Sequence, residues 1–185
     1  GGSPLPIEAG ARLTGKVGSN TNIGLIGMRT EGLEGIASGN DFSVARVSQD
    51  LPNRSSIGFM FVERDGDGSA LNNKGEDYNR TFAVDGRWGI GDETLVTSWA
   101  ARTDTPGVSG RDFAGGLRGA YQSPEWEFRA GYSQVGENFN PEVGFLQRKG
   151  FRKIEGYVAR TIRPDNFFGI IELNPHIDYR GYWGL

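Results

Sequence analysis

Glu125-Trp126-Glu127-Phe128-Arg129-Ala130-Gly131-Tyr132 changes chemical character at almost every step. Successive side chains of an extended chain point to opposite faces. Trp126, Phe128, Ala130 and Tyr132 therefore share one face, and Glu125, Glu127, Arg129 and Gly131 the other. The stretch predicts a β-strand with an apolar face and a charged one. Thr81 to Ile90 repeats the design, with Phe82, Val84, Gly86, Trp88 and Ile90 opposite Thr81, Ala83, Asp85, Arg87 and Gly89. In Phe113 to Tyr121, Phe113, Leu117 and Tyr121 oppose Ala114, Gly116, Arg118 and Ala120. Near the start, Ile7, Ala9, Ala11, Leu13 and Val17 alternate with Glu8, Gly10, Arg12, Thr14 and Lys16.

Working outward from these segments, the sequence predicts an all-β chain, 1–185, of about ten strands, with residues 1–4 as a linker. The expected strands are 7–17, 22–30, 41–50, 54–64, 78–90, 93–103, 111–122, 125–135, 149–162 and 167–183. Tight turns are expected at 18–21, 51–53, 91–92, 123–124 and 163–165. Longer polar, glycine-rich loops are expected at about 31–40, 65–77, 104–110 and 136–148. Short and long connections thus alternate, as they do in an antiparallel up-and-down meander with turns at one end and loops at the other. Transmembrane β-barrels have this asymmetry, and strands of about 10 residues suit a tilted crossing of a bilayer. Aromatic residues near the turn end (Trp88, Tyr121, Trp126 and Phe167) fit an interfacial girdle, and Trp99 is read as lipid-facing with them.

Composition narrows the classes further. The 185 residues include 30 Gly and no Cys, 36% are hydrophobic, and the formal net charge is −3. Disulfide scaffolds, Cys-ligated zinc and thiol catalysis are excluded. Without a basic excess there is no electrostatic footprint for nucleic acid. The longest apolar runs are far shorter than the ~20 residues of a spanning helix. In a membrane barrel only alternate residues meet lipid, so a modest apolar fraction suffices. Residues 1–10 carry no signal-peptide pattern, and the chain reads as a piece of a longer exported protein.

Gly136-Glu137-Asn138-Phe139-Asn140-Pro141-Glu142-Val143-Gly144-Phe145-Leu146 is the most distinctive stretch. Three others accompany it: Gly10-Ala11-Arg12-Leu13-Thr14-Gly15-Lys16, Phe42-Ser43-Val44-Ala45-Arg46-Val47 and Arg54-Ser55-Ser56-Ile57-Gly58. Together they resemble a bacterial family of uncharacterised exported proteins. In that family a domain similar to family 9 carbohydrate-binding modules precedes a C-terminal outer-membrane-type β-barrel domain of unknown function. The resemblance implies the bacterial outer membrane, a larger parent barrel, and an N-terminal carbohydrate-binding domain as partner. It implies no catalytic residues.

The charged strand face gathers the candidate site: Glu8, Arg12, Lys16, Asp85, Arg87, Arg118, Glu127, Arg129, Glu172, His176, Asp178 and Arg180. In a barrel these face the lumen, either as mutually neutralising pairs across strands or as a polar pathway. His176, between acidic neighbours, is read as one rung of that ladder; a hydrolase built on it lacks a nucleophile elbow or a second His. In the long-loop motif, Asn138, Phe139, Asn140, Pro141, Glu142 and Phe145 are marked out, because Phe139, Val143, Phe145 and Leu146 are too apolar for a solvated loop. That loop is expected to pack inward. Asp65, Asp67, Ser69, Asn73 and Glu76 stand at the offsets of oxygen ligands in a calcium loop. Ala70 occupies the position of the turn glycine, so a solvated loop is the competing reading.

The leading expectation is an outer-membrane barrel segment, not itself an enzyme, that anchors or serves as conduit for an exported, glycan-associated protein in contact with outer-membrane lipid. The alternative is a secreted soluble β-sandwich binding glycans through Trp88, Trp99 and Trp126.

Overall fold

The computed structural model describes residues 5–33, 36–68, 76–165 and 168–185. Ten strands follow one another: β1 (Ile7–Val17), β2 (Thr21–Thr30), β3 (Asn40–Leu51), β4 (Ser55–Gly66) and β5 (Tyr78–Ile90). After these come β6 (Thr94–Asp104), β7 (Phe113–Gln122), β8 (Trp126–Val135), β9 (Phe151–Arg160) and β10 (His176–Gly184). They form one antiparallel sheet in chain order. Backbone contacts between strands are confined to neighbours in the chain, so no second layer of strands covers either face. Among the described residues no ladder joins β1 to β10, and both are edges. There is also no helix among them.

Four connections at one end are tight: 18–20, 52–54, 91–93 and 123–125. Gly18 and Gly91 reach left-handed φ values of 64° and 59°, which glycine adopts without a steric cost. At the β7–β8 turn the Trp126 amide donates to Ser123 Oγ at 3.1 Å, closing the turn through a side chain. The fifth connection departs from expectation. The described segment 168–175 is not strand: β10 begins at His176, and the connection from β9 is long and held by an isolated bridge between Ile162 and Leu173. Phe168 and Gly169 take φ values of 48° and 75°, incompatible with extended pairing. Pro175 has no amide to continue the ladder beyond His176. The apolar run at 168–171 misled because it has strand composition without strand backbone.

Residues paired across an antiparallel ladder share a face. One row runs Ser48, Gly58, Asp85, Trp99, Gly116, Ser133, Lys153 and Tyr182. The adjacent row, on the other face, includes Ile23, Val47, Phe59, Val84 and Ala100. The first belongs to a polar face, the second to an apolar one. The alternations in β1, β5, β7 and β8 keep this registration along the strands.

The apolar face is uncovered. Val84 is 51% exposed, Leu117 55% and Ile90 61%, and the same holds from Leu13 on β1 to Ile177 on β10. Near the tight turns Trp126 stacks on Phe128 (centroids 5.4 Å apart), and Tyr121 lies 5.9 Å from the same ring. Phe167 lies outside the described residues. Among the described residues the buried apolar side chains, Ala114, Val135 and Phe139, form a small cluster at the opposite end.

Candidate functional site

The polar face carries ion pairs of two kinds, between strands two apart and between alternate residues of one strand. Arg46 on β3 reaches across Gly58 on β4 to grip Asp85 on β5 with both terminal nitrogens, Nη2 at 2.9 Å. A Cβ on Gly58 would collide with the Arg46 guanidinium, so glycine is what leaves room for this reach. Lys16 lies 3.5 Å from Asp50, and Lys153 2.5 Å from Glu155. Arg180 lies 3.2 Å from Asp178. Arg129 Nε stands 3.2 Å from Glu127 but off the hydrogen-bonding direction, and its guanidinium lies over the Tyr157 ring at 3.8 Å.

Of the residues assigned to this face, Arg12, Lys16, Asp85, Arg87, Arg118, Glu127, Arg129, His176, Asp178 and Arg180 occupy it by register. Two do not. The β1 register slips between Ile7 and Ala9, and Glu8 acts electrostatically on Arg29, which points to the other face. Glu172 precedes β10 and pairs with Arg163 at 2.9 Å inside the 161–175 connection. The Asn174 amide, donating at 2.8 Å, and the Arg163 charge hold the Glu172 carboxyl below the usual carboxylate range. His176 is exposed at the start of β10, its Nδ1 3.3 Å from the Asn174 carbonyl and its ring 5.7 Å from Tyr157.

Trp99 corrects another expectation. It lies on the polar face, its indole above Gly116, where a Cβ would come within 2.8 Å of Nε1. Trp88 and Trp126 lie on the apolar face, so the three rings form no shared platform.

The loop following β8 runs back over the polar face. Phe139 is 5% exposed and packs on Ala114 and Val135, with Ala101, Leu146 and Phe151 around them. The chain then crosses β6, β5 and β4 in turn. The Asn140 amide donates to Thr103 Oγ1 at 3.1 Å. Asn79, 1% exposed, donates to the Asn140 carbonyl and to Thr105 Oγ1, both at 2.8 Å, and accepts from the Glu142 amide at 3.2 Å. Arg64 closes the far end, donating to Glu142 (2.6 Å), Asp77 (2.6 Å) and Asn40 (2.9 Å). Asn138 anchors the near end on the Gly110 carbonyl at 2.8 Å. Pro141 accepts the Gly144 amide in a turn, while Phe145 points out, 92% exposed. The result is a strap tied across β4 to β9.

On the apolar face the same end carries charge: Arg29 with Asp41 (2.7 Å), Glu63 with Arg80 (2.7 Å) and Arg102 with Asp112 (3.0 Å). The two halves of the sheet therefore have opposite polarity. Toward the turns, apolar side chains face outward and charges the polar face; toward the loops, the apolar cluster sits under the strap and charges rim the other face.

The calcium-like spacing is not built as a loop at its start. Asp65 belongs to β4, paired with Asp41 and Tyr78, while Ser69 and Asn73 lie outside the described residues. Asp67 follows the strand and its amide bonds the Gly39 carbonyl at 3.0 Å; Glu76 is exposed. Among the described residues no three metal-binding side chains gather. Arg46, Arg64 and Asn79 escaped the sequence reading. Arg64 and Glu142 are 78 residues apart, and nothing in either segment announces the other.

Comparison with protein-family models, with curated proteins and with solved structures finds no match for this chain.

Proposed function

We propose that this chain is a segment of an outer-membrane β-barrel, the membrane anchor or conduit of an exported, glycan-associated protein. The observation that carries the proposal is the reversal of polarity along the strands. A sheet in water on both sides has no use for an uncovered apolar face spanning ten strands beside a packed, ion-rimmed end. A bilayer uses both: hydrocarbon takes the apolar half, and the rimmed half stands in the aqueous phase beyond it. Each large apolar side chain moved out of water contributes about 1.5–3 kcal/mol, and the outward set includes Leu13, Val47, Phe59, Val84 and Leu117. The aromatic cluster of Tyr121, Trp126 and Phe128 then sits at the far interface, where amphipathic rings are favoured.

In this reading lipid is the partner of the apolar face, and the polar face lines the lumen. The strap across β4 to β9 narrows the lumen's loop end. The resemblance of the four motifs to the exported family supports a parent chain whose N-terminal carbohydrate-binding domain gives the glycan association. No residue is assigned a catalytic role, and nucleic acid is not a partner.

The test is reconstitution. The chain should need detergent or lipid to stay monodisperse and should migrate differently on gels before and after boiling. In bilayers with brominated acyl chains, Trp88 and Trp126 should be quenched. A monodisperse, folded monomer in detergent-free buffer would overturn the reading.

A further inference from the structure

We infer that the polar face selects small anions, and that the hollow between Trp99 and β8–β9 is where it holds them; the inference deepens the lumen reading and rests on it. The argument is a pairing account of the turn half. Each carboxylate on the polar strand face of that half already has a cation: Asp50 has Lys16, Asp85 has Arg46, Glu127 has Arg129, Glu155 has Lys153 and Asp178 has Arg180. Arg12, Arg87 and Arg118 remain with no ion pair or hydrogen bond to a carboxylate among the described residues.

Guanidinium groups do not deprotonate in proteins, so their charge needs a counter-ion from outside. The whole chain is acidic, at −3. The positive excess is therefore local, because much of the acid lies in turns and loops such as Asp92, Glu93, Glu125 and Glu137. A wall backed by low-dielectric hydrocarbon focuses such a field and raises the local concentration of ions of opposite sign.

The hollow gives the field a place. It has a volume of about 270 Å³, with Trp99 as one wall and Gly116 and Gly131 among its lining. Arg118, Lys153 and Glu155 are its charged lining residues. Glu155 is engaged by Lys153, and Arg118 lies within electrostatic reach of the same carboxylate without bonding to it. An entering carboxylate, sulfate or phosphate would meet an available guanidinium and the flat face of an indole. A cation would meet a carboxylate that is already neutralised.

Trp99 reports on this directly. A variant with Trp88, Trp126 and Trp183 each replaced by Phe leaves one fluorophore, on the polar face. In micelles of a non-ionic detergent, with each quenching constant divided by that of free N-acetyltryptophanamide under the same conditions, iodide should quench it several-fold more efficiently than caesium at equal ionic strength. Arg118→Gln should bring the ratio of the two quenching constants toward one, and Arg118→Lys should restore it; heat-modifiable migration checks that each variant folds. A ratio at or below one in the parent, or one that Arg118→Gln leaves unchanged, overturns the inference and spares the membrane reading. Quenching of Trp99 by brominated acyl chains, with neither ion effective, would instead place this face against lipid and overturn the reading itself.

Discussion

The turn half and the loop half of this sheet are made from the same ten strands, yet they obey opposite rules. In the loop half, a cluster of apolar side chains is enclosed and charges line the rim, as water favours at a protein surface. Phe139, Ala114 and Val135 are covered there, and Arg29, Glu63 and Arg102 stand outside. In the turn half, Val47, Phe59 and Val84 face outward while Arg46 and Asp85 meet on the other side. Strand pairing runs unbroken through both halves, so the backbone does not set the change. In the proposed reading, what changes is the solvent each half is built for.

Adjacent residues on β3 offer the sharpest way to break that comparison. Val47→Lys should cost about 2–4 kcal/mol in lipid, the penalty of a cation in the middle of an apolar belt. Ser48→Lys, one residue away on the polar face, should change stability by no more than about 0.5 kcal/mol. Equal costs in a denaturant titration from bilayers would mean that the two faces do not differ in environment. In the loop half, Asn79→Ala should cost about 1–3 kcal/mol, because the Asn140 carbonyl and Glu142 amide lose their buried partner. Hydrogen exchange should then accelerate in 136–150 while the turn half stays protected.

Crowding should ignore the difference between the halves. A Cβ at Gly136 would come within 1.9 Å of the Arg111 carbonyl, and one at Gly89 within 2.0 Å of the Asn53 carbonyl. Both Gly→Ala changes should cost about 1–3 kcal/mol, and a large inequality between them would point to slack at one end. The smallest effects belong to exposed ion pairs. Arg29→Gln should leave the melting temperature unchanged within error, since a water-exposed pair at the rim contributes little. Glu172, held below its usual range, stabilises the 161–175 connection above the unfolded carboxylate pKa. That contribution is lost as pH falls through the lower folded value, so protection factors in this connection, corrected for the slower intrinsic exchange in acid, should fall below about pH 4.

Much of this was legible because the side-chain period of a strand is two and the registration of a meander is local. The alternations in β1, β5, β7 and β8 fixed their faces, and the tight turns marked where each hairpin closes. Reading failed where composition and backbone part company. Phe168, Gly169 and Ile170 have the chemistry of a strand, but left-handed φ values and Pro175 prevent pairing. Trp99 looked like its neighbours in type, and only its registration with Asp85 and Gly116 puts it on the polar face. The strap was visible as an apolar loop, but its fastenings were not. Asn79 and Arg64 bond to residues about sixty to eighty positions away in the chain, and no local pattern encodes such a meeting.

That the backbone of each strand pairs only with its chain neighbours has an evolutionary consequence. Such a sheet is nearly one-dimensional, its energy a sum of hairpins and the seams between them, as in repeat proteins. Duplication or deletion of one hairpin leaves every other seam intact, so the width of the sheet can drift between relatives. The strap restricts where this happens, because it fastens β4 to β9 into one block. Gain and loss of strands should concentrate outside that block, among β1 to β3 and beyond β10, where no fastening has to be rebuilt.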